Sequence, residues 1–393
     1  MAGTGATLLA SALPGCTQLP GSREGATPAA QGSKAGGPVL QLTPIHVSAD
    51  RITNITVCTR PFRAQGPRIE AEQVGQKSVI HNYGHGGSGW SLSWGSSALA
   101  TEKAMATGEH DIAVIGCGAL GLTSALLLQR AGANVTIYAK DLPPNVRSSN
   151  ATGVWSPDSR VCLESYATPE FRKMWEGMAR QSFRTYQSLL GLQGNPVEFI
   201  DSYFATDQPM SARRDAAPAR PDRPPFAQLE RSLLGDLMTR EEEFGPGTHS
   251  LRVPYLQRTT TMMFNISSYA RMLMSDFFQD GGHIEVTEFH SPADFARLRQ
   301  KTVVNATGYG ARALFGDKSI TPVRGQIAHM IPQPELTYSL YYKTVFFVPR
   351  RDGLVFQATG EDDYYGFGND DTTPDRDEAE FAVRTIAELF APS

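Results

Sequence analysis

The string Asp111-Ile-Ala-Val-Ile-Gly116-Cys-Gly118-Ala-Leu-Gly121, continued by residues 122–138, constrains this chain more than any other. It reads as strand, tight turn, helix, strand. The apolar run 112–115 suits a strand buried on both faces of a parallel sheet. Gly116 permits the turn, Gly118 lets a pyrophosphate approach the backbone, and Gly121 lets the helix pack closely on the strand. The helix N-terminus presents unpaired N–H groups and the positive end of its dipole to phosphate. Flanked in this way, the glycine pattern predicts a dinucleotide site in an α/β fold. An acid about 20 residues further on is expected to hold the ribose hydroxyls. Asp141 stands 20 residues past Gly121, but Lys140 occupies the place just before it. The motif alone does not separate FAD from NAD.

Composition narrows the classes. With 36 Lys plus Arg against 40 Asp plus Glu, neither sign dominates, which argues against a nucleic-acid or anionic-membrane binder. The 40% hydrophobic share is enough for the cores of two or three domains. No apolar run approaches the roughly 18 residues of a membrane span. Cys16, Cys58, Cys117 and Cys162 are too few and too scattered for a disulfide framework or a zinc knuckle.

The two ends are unusual. Residues 1–22 resemble the later part of an export signal of the twin-arginine type, although no Lys or Arg precedes Arg23. Leu13-Pro14-Gly15-Cys16 resembles a lipoprotein cleavage box. A flexible alanine- and glycine-rich tail on a cytoplasmic protein is the competing reading. Residues 17–49 have linker composition, so 1–49 is expected to be a leader with little fixed structure. At the other end, 374–390 reads as an amphipathic helix anchored by Phe381, Ile386, Leu389 and Phe390, with acidic residues in its first turn. The chain stops three residues later, before any natural last layer of a fold.

The most specific string is Val79-Ile-His81-Asn82-Tyr83-Gly84-His85-Gly86-Gly87-Ser88-Gly89-Trp90-Ser91. Four glycines in six positions give backbone amides a second approach to a ligand. His81 and His85 invite a metal reading, but the glycines between them preclude a helix and no third ligand is near, so no metal is expected. This string resembles the signature of the D-amino-acid oxidase family of FAD enzymes. The resemblance extends to Ser148-Ser149-Asn-Ala-Thr-Gly153-Val154-Trp155-Ser-Pro157 within 109–158, and to Val303-Val-Asn305-Ala-Thr307-Gly308. Pro322-Val-Arg324-Gly325-Gln326 and Cys58-Thr-Arg60-Pro61-Phe-Arg63 resemble two further family segments. Together they cover about residues 50–393. The order differs from the family's, in which the arginine and histidine–glycine segments come last. The sequence therefore looks circularly permuted, with residues around Thr107-Gly108-Glu109 joining the old C-terminal helix to the first strand. Fusion of fragments from two tandem copies is the alternative, but each motif occurs once.

The resemblance implies an FAD-binding Rossmann-type domain (63–160 and 255–315) interwoven with a substrate domain on a mixed or antiparallel sheet (50–62, 161–254 and 316–393). It implies hydride transfer from the Cα of a D-amino acid to flavin N5, with release of imino or 2-oxo acid, ammonia and hydrogen peroxide. The partners are then an amino acid and O2, with no nucleic acid and with room for a homodimer. Arg60 would pair with the substrate carboxylate, since guanidinium matches it with two parallel hydrogen bonds. Gly87 would accept the amine through its carbonyl, and Tyr342 would gate the site. A second family tyrosine falls on Phe346, which removes one hydroxyl unless Tyr341 or Lys343 compensates. Gly84, Gly89 and Ser91 would line the isoalloxazine. The rest of FAD would meet Gly116, Gly118, Gly121, Asp141, Ser148, Ser149, Gly153, Val154, Thr307 and Gly308. The arginine-rich insertion 208–226 reads as a solvated loop, or as a lid favouring an acidic substrate. The alternatives are an NAD(P)-dependent dehydrogenase, which the glycine motif alone permits, and a flavin-binding protein with altered or lost turnover.

Overall fold

The computed structural model describes residues 38–213 and 222–390. In chain order its strands are β1 (Ile52–Arg63), β2 (Ala71–Val74), β3 (Lys77–His81), β4 (Asp111–Ile115), β5 (Asn134–Ala139), β6 (Val197–Thr206) and β7 (Glu242–Phe244). They continue with β8 (Tyr255–Phe264), β9 (His283–Val286), β10 (Thr302–Asn305), β11 (Ile320–Met330), β12 (Tyr338–Tyr342), β13 (Val345–Arg350) and β14 (Gly353–Ala358). The longer helices are α1 (Gly89–Met105), α2 (Ala119–Arg130), α3 (Pro169–Gln187), α4 (Ile266–Gln279) and α5 (Arg376–Ala387). No helix among the described residues is long and apolar enough to cross a membrane.

Six strands form a sheet in the order β2-β3-β10-β4-β5-β9, parallel except at the β2–β3 edge. The glycine motif occupies its centre as β4, turn and α2. Ile112 and Val114 face a core shared with Leu122 and Leu126 of α2, while Ala113 and Ile115 face a second core with Phe295 and Leu314. Burial on both faces is why β4 is an unbroken apolar run rather than an alternating one. Residues 106–110 connect α1 to β4, with Gly108 in the left-handed region at φ +76° just past the helix end.

The other eight strands run β1-β11-β14-β13-β12-β6-β8-β7, antiparallel except for β12 and β6. This is the α/β architecture with a mixed second sheet that the sequence suggests. One boundary differs. Residues 255–264, expected in the cofactor domain, are β8 and pair along β6 from Tyr255 opposite Thr206 to Phe264 opposite Val197. Met262 and Phe264 of that strand also close the core beneath α2, so β8 serves both units.

The outer face of the eight-stranded sheet is covered by α5. Asp375 caps this helix by accepting from the Glu378 N–H, and Ala379, Ala382, Val383 and Ile386 fall on one face at helical spacing. Leu389 is buried and Phe390 packs at the margin, as expected, but Phe381 is 46% exposed. It lies off the i, i+3, i+4, i+7 stripe, which small alanines complete instead.

The same core corrects the expectation for residues 17–49 over the part described. Leu42 and Ile45 are buried against the sheet. The Leu40 N–H donates to the Thr248 carbonyl at 2.9 Å, and the Tyr338 hydroxyl donates to the Thr43 carbonyl at 2.5 Å. Alternating apolar residues among prolines and polar residues make a strap here rather than a linker. The export-signal and lipoprotein features fall outside the described residues. Ile45→Ala should cost about 2–5 kcal/mol of unfolding free energy by chemical denaturation. A change below about 0.5 kcal/mol would contradict this assignment of the strap to the core.

Candidate active site

A cavity of about 780 Å³ opens where the C-terminal ends of β4, β5 and β10 meet the N-termini of α1 and α2. That is the crevice in which open α/β sheets bind dinucleotides, and the size suits a cofactor with room for a small substrate. Gly116 turns the chain at φ +107°, and a Cβ there would stand 2.7 Å from the Ala306 carbonyl. A Cβ on Gly121 would stand 2.0 Å from the Gly116 carbonyl, so only glycine lets α2 seat this close to the turn. Gly118 lines the cavity at the start of α2. The Ser148 hydroxyl accepts from the Ala119 N–H at 3.1 Å, and the Ser148 carbonyl accepts from Trp90 Nε1 at 2.8 Å. Ser148 thereby ties the two helix N-termini together.

Thr307 and Gly308, just past β10, and Gly153 and Val154 line the same cavity, as do Gly84, Gly87, Gly89 and Ser91 around the start of α1. Two of the residues expected at the cofactor do not. Gly121 acts from beneath, through packing, and Ser149 turns into its own short helix, its N–H donating to the Val146 carbonyl. At the far end of the cavity Asp141 is present, beside an ion pair between Lys140 and Glu288 at 3.3 Å. Glu288 follows β9, the neighbour of β5, so the lysine in the unexpected place has its own counter-charge.

The opposite end is built on β1. Arg60 lines it, and its Nη1 donates to the Arg324 carbonyl at 3.2 Å. Arg324 is itself held by Glu378 of α5 at 2.8 Å. A Cβ on Gly325, in the adjacent strand β11, would sit 2.3 Å from the Arg60 guanidinium and would displace it. The glycine within the Arg324-Gly325-Gln326 stretch of β11 is thus the space that Arg60 fills. Phe346, Gln357, Thr359 and Tyr365 complete this end.

Tyr342 does not reach it. The resemblance puts Tyr342 at the gate of the site and sets Phe346, four residues on, where a second family tyrosine falls. A tight turn at Lys343, φ +52°, intervenes. Tyr341 pairs with Phe346 and Tyr342 with Val345, and cross-strand partners share a face. Tyr342 therefore packs in the core under α5 with Val345 and Phe347. Lys343 turns away to Glu388 at 2.5 Å. The Tyr341 hydroxyl contacts Thr359 Oγ1 at 3.1 Å, at the cavity wall.

His81 and His85 also part company. His81 meets Glu72 at 2.9 Å and Asn305 at 3.1 Å. His85 is fully buried with Nε2 at 2.7 Å from Ser96 Oγ, and burial, aided by the Arg63 charge, pulls its pKa down to about 3. It stays neutral. Burial pushes the Cys117 thiol up to about 12, which removes it as a nucleophile. Of the insertion arginines, Arg214 and Arg220 lie outside the described residues, as does the side chain of Arg213. Arg223 pairs with Asp362 at 2.8 Å, away from the cavity.

Sequence reasoning passed over two residues at the Arg60 end. Tyr365 follows a run of acids and carried no motif. Burial lifts its hydroxyl to about 12, with the Glu378 carboxylate adding to the effect. Arg160 follows the recognised Trp155-Ser-Pro157 string by three residues, and an arginine in a loop reads as solvated.

A glycine-cradled cavity at a sheet switch point, with a fixed guanidinium across it, defines a nucleotide-dependent oxidoreductase. Residues 111–393 match the FAD dependent oxidoreductase family, and the chain belongs to it. Its dinucleotide is FAD, and the NAD alternative falls. The D-amino-acid oxidase of Rubrobacter xylanophilus is 28% identical over 281 residues, 70% of this chain and 76% of that protein. The D-amino-acid oxidase of Dictyostelium discoideum is 24% identical over 72% of this chain and 74% of its own. A glycine oxidase from Bacillus cereus has a similar fold, with a TM-score of 0.50 at 15% identity over 72% of this chain and 78% of that one. The cradle fits the cofactor, since side chains at 116 and 121 would close the turn. Gly121→Val should weaken FAD retention by roughly 10–100-fold, the equivalent of about 1–3 kcal/mol of packing strain. A variant as yellow as the wild type after dialysis, with an unchanged circular dichroism spectrum, would contradict this.

Proposed function

We propose that the protein oxidises a D-amino acid to the 2-oxo acid and ammonia with release of hydrogen peroxide. The observation that carries this reading is the Arg60 guanidinium, fixed in the same cavity as the cofactor cradle and, among the described residues, with no carboxylate in ion-pair contact. The two carboxylates that line the cavity, Asp141 and Glu288, belong to its far end. Arg60 would hold the substrate carboxylate by a bidentate pair and so decide which face of Cα meets the cofactor. Gly87, whose N–H is already engaged with the Ser159 carbonyl at 2.9 Å, would accept the amine through its own carbonyl. Phe346 would wall the Cα side chain and exclude water. Tyr365 and Thr359 offer the hydroxyls that Phe346 lacks.

FAD, when bound, supplies the two-electron acceptor. The substrate loses its Cα hydrogen with two electrons and a proton from nitrogen. The imino acid then takes up water and releases ammonia, and O2 carries the two electrons and two protons away as peroxide. No protein acid or base is required beyond the positioning groups. The N-terminus of α1, opening between Gly89 and Ser91, would favour negative charge that gathers at the reacting end.

We infer also that the chain order is a circular permutation of the family's. In support, the family match begins at 111, while residues before it supply β1 to the eight-stranded sheet, β2 and β3 to the six-stranded sheet, and α1, which packs on α2. On this reading the cofactor domain gathers round the six-stranded sheet and the substrate domain round the eight-stranded one. A panel of D- and L-amino acids with peroxide detection tests the activity. Peroxide from D-amino acids alone is expected, and flavin-loaded protein that is silent on the whole panel would favour a binding protein without turnover. Arg60→Ala should lower kcat/KM by at least about 100-fold while FAD stays bound, since a charge-assisted bidentate pair is worth about 3 kcal/mol. An unchanged rate would remove Arg60 from the site.

A further inference from the structure

Arg160 is the second guanidinium at the Arg60 end of the cavity, where the two charges repel one another. The turn that carries it is built into the site from three sides. The Gly86 N–H donates to the Pro61 carbonyl at 3.0 Å, next to Arg60 in sequence, and the Gly87 N–H donates to the Ser159 carbonyl at 2.9 Å. A Cβ on Gly86 would stand 2.0 Å from the Arg160 carbonyl. Behind the turn, Asp158 Oδ2 accepts from the N–H groups of Leu229 and Glu230, both at 2.9 Å. Arg160 itself sits at φ +49°, an uncommon conformation for a side chain of this size, which this anchoring overdetermines.

The charge in this place is compensated only in part, by the Asp363 carboxylate and more weakly by Asp362. Arg160 Nε donates to the Asp363 carbonyl at 2.5 Å, and a terminal nitrogen lies 3.4 Å from the Asp363 carboxylate, itself half-exposed. Among the described residues these are its direct partners, for a group with five N–H donors. Burial, reinforced by repulsion from Arg60, pulls its pKa down to about 10, so it remains a cation at neutral pH. Two guanidinium groups that repel one another line one end of a cavity in a protein whose net charge is −4. A cavity end of this kind attracts anionic groups.

We propose that Arg160 binds a second carboxylate, and that the substrate is an acidic amino acid with its α-carboxylate on Arg60 and its side-chain carboxylate on Arg160. This rests on the oxidase reading above and narrows it to one substrate class. Neutral isosteres would leave Arg160 facing a group that cannot neutralise it.

The test compares kcat/KM for D-aspartate with D-asparagine and for D-glutamate with D-glutamine, in the flavin-loaded full chain and in Arg160→Gln and Arg160→Lys. The acid of at least one pair should be preferred by roughly 10–100-fold, the size of a charge-assisted hydrogen bond. Arg160→Gln should abolish the preference by raising KM for the acid while sparing the amide, and Arg160→Lys should restore part of it. Equal rates for acid and amide in the wild type, or equal losses for both in Arg160→Gln, would overturn the proposal and leave the oxidase reading intact. Oxidation of no amino acid at all would sink that reading instead. In that case titration of the flavin absorbance with succinate and butyrate decides for Arg160. Tighter succinate binding that Arg160→Gln removes supports it, and equal binding overturns it.

Discussion

The pairing of β1 with β11 is the interaction on which the rest of the site depends. It runs antiparallel from Ile52 opposite Met330 to Arg63 opposite Ile320, and it ties the segment before the glycine motif to the sheet that follows it. Through it Arg60 is laid beside Gly325 and reaches the Arg324 carbonyl, and α5 braces Arg324 from the other side through Glu378. At the other end of the segment, α1 opens its N-terminus on the cavity and packs along α2. A register slip of one residue in β1 would turn Arg60 to the opposite face of the sheet and leave the cofactor cradle facing an apolar wall.

Electrostatics divides the cavity. At the far end Lys140, Glu288 and Asp141 bring both signs together, as suits a sugar and its phosphates. At the β1 end two guanidinium groups stand with one half-exposed carboxylate, Asp363, behind Arg160 and outside the lining, and Phe346 adds an apolar surface. Holding two half-buried like charges close together is unfavourable until an anion arrives, so binding energy at this end is available to orient a carboxylate rather than merely to retain it. The role proposed for Arg60 and that inferred for Arg160 are two uses of one imbalance.

Legibility in the sequence followed the range of the forces involved. The glycine motif was readable because each glycine answers a local steric demand: Gly116 its φ, Gly121 its close approach to a carbonyl. The run 112–115 of β4 was readable because burial on two faces leaves no polar residue in it. Tyr342 was placed in the site by resemblance, and a motif match does not reveal that the turn at Lys343 sends Tyr342 and Phe346 to opposite faces. Phe381 was misread because hydrophobicity outweighed helical position. Leu42 and Ile45 were hidden because a strap has no period of its own, and its partners lie some 200 to 300 residues further along the chain. Arg160 went unseen for a similar reason: its burial is created by Gly86 and Gly87, about 70 residues earlier.

The account stands or falls on electron transfer from a D-amino acid to the bound cofactor at the end of the cavity that β1 supplies. Anaerobic mixing of the flavin-loaded protein with D- and L-enantiomers, followed by flavin absorbance, measures that transfer without recourse to oxygen. Bleaching of the flavin band by the D-enantiomer alone, lost in Arg60→Ala with FAD still bound, is the predicted result. Bleaching by the L-enantiomer, or bleaching that survives without Arg60, would contradict the account.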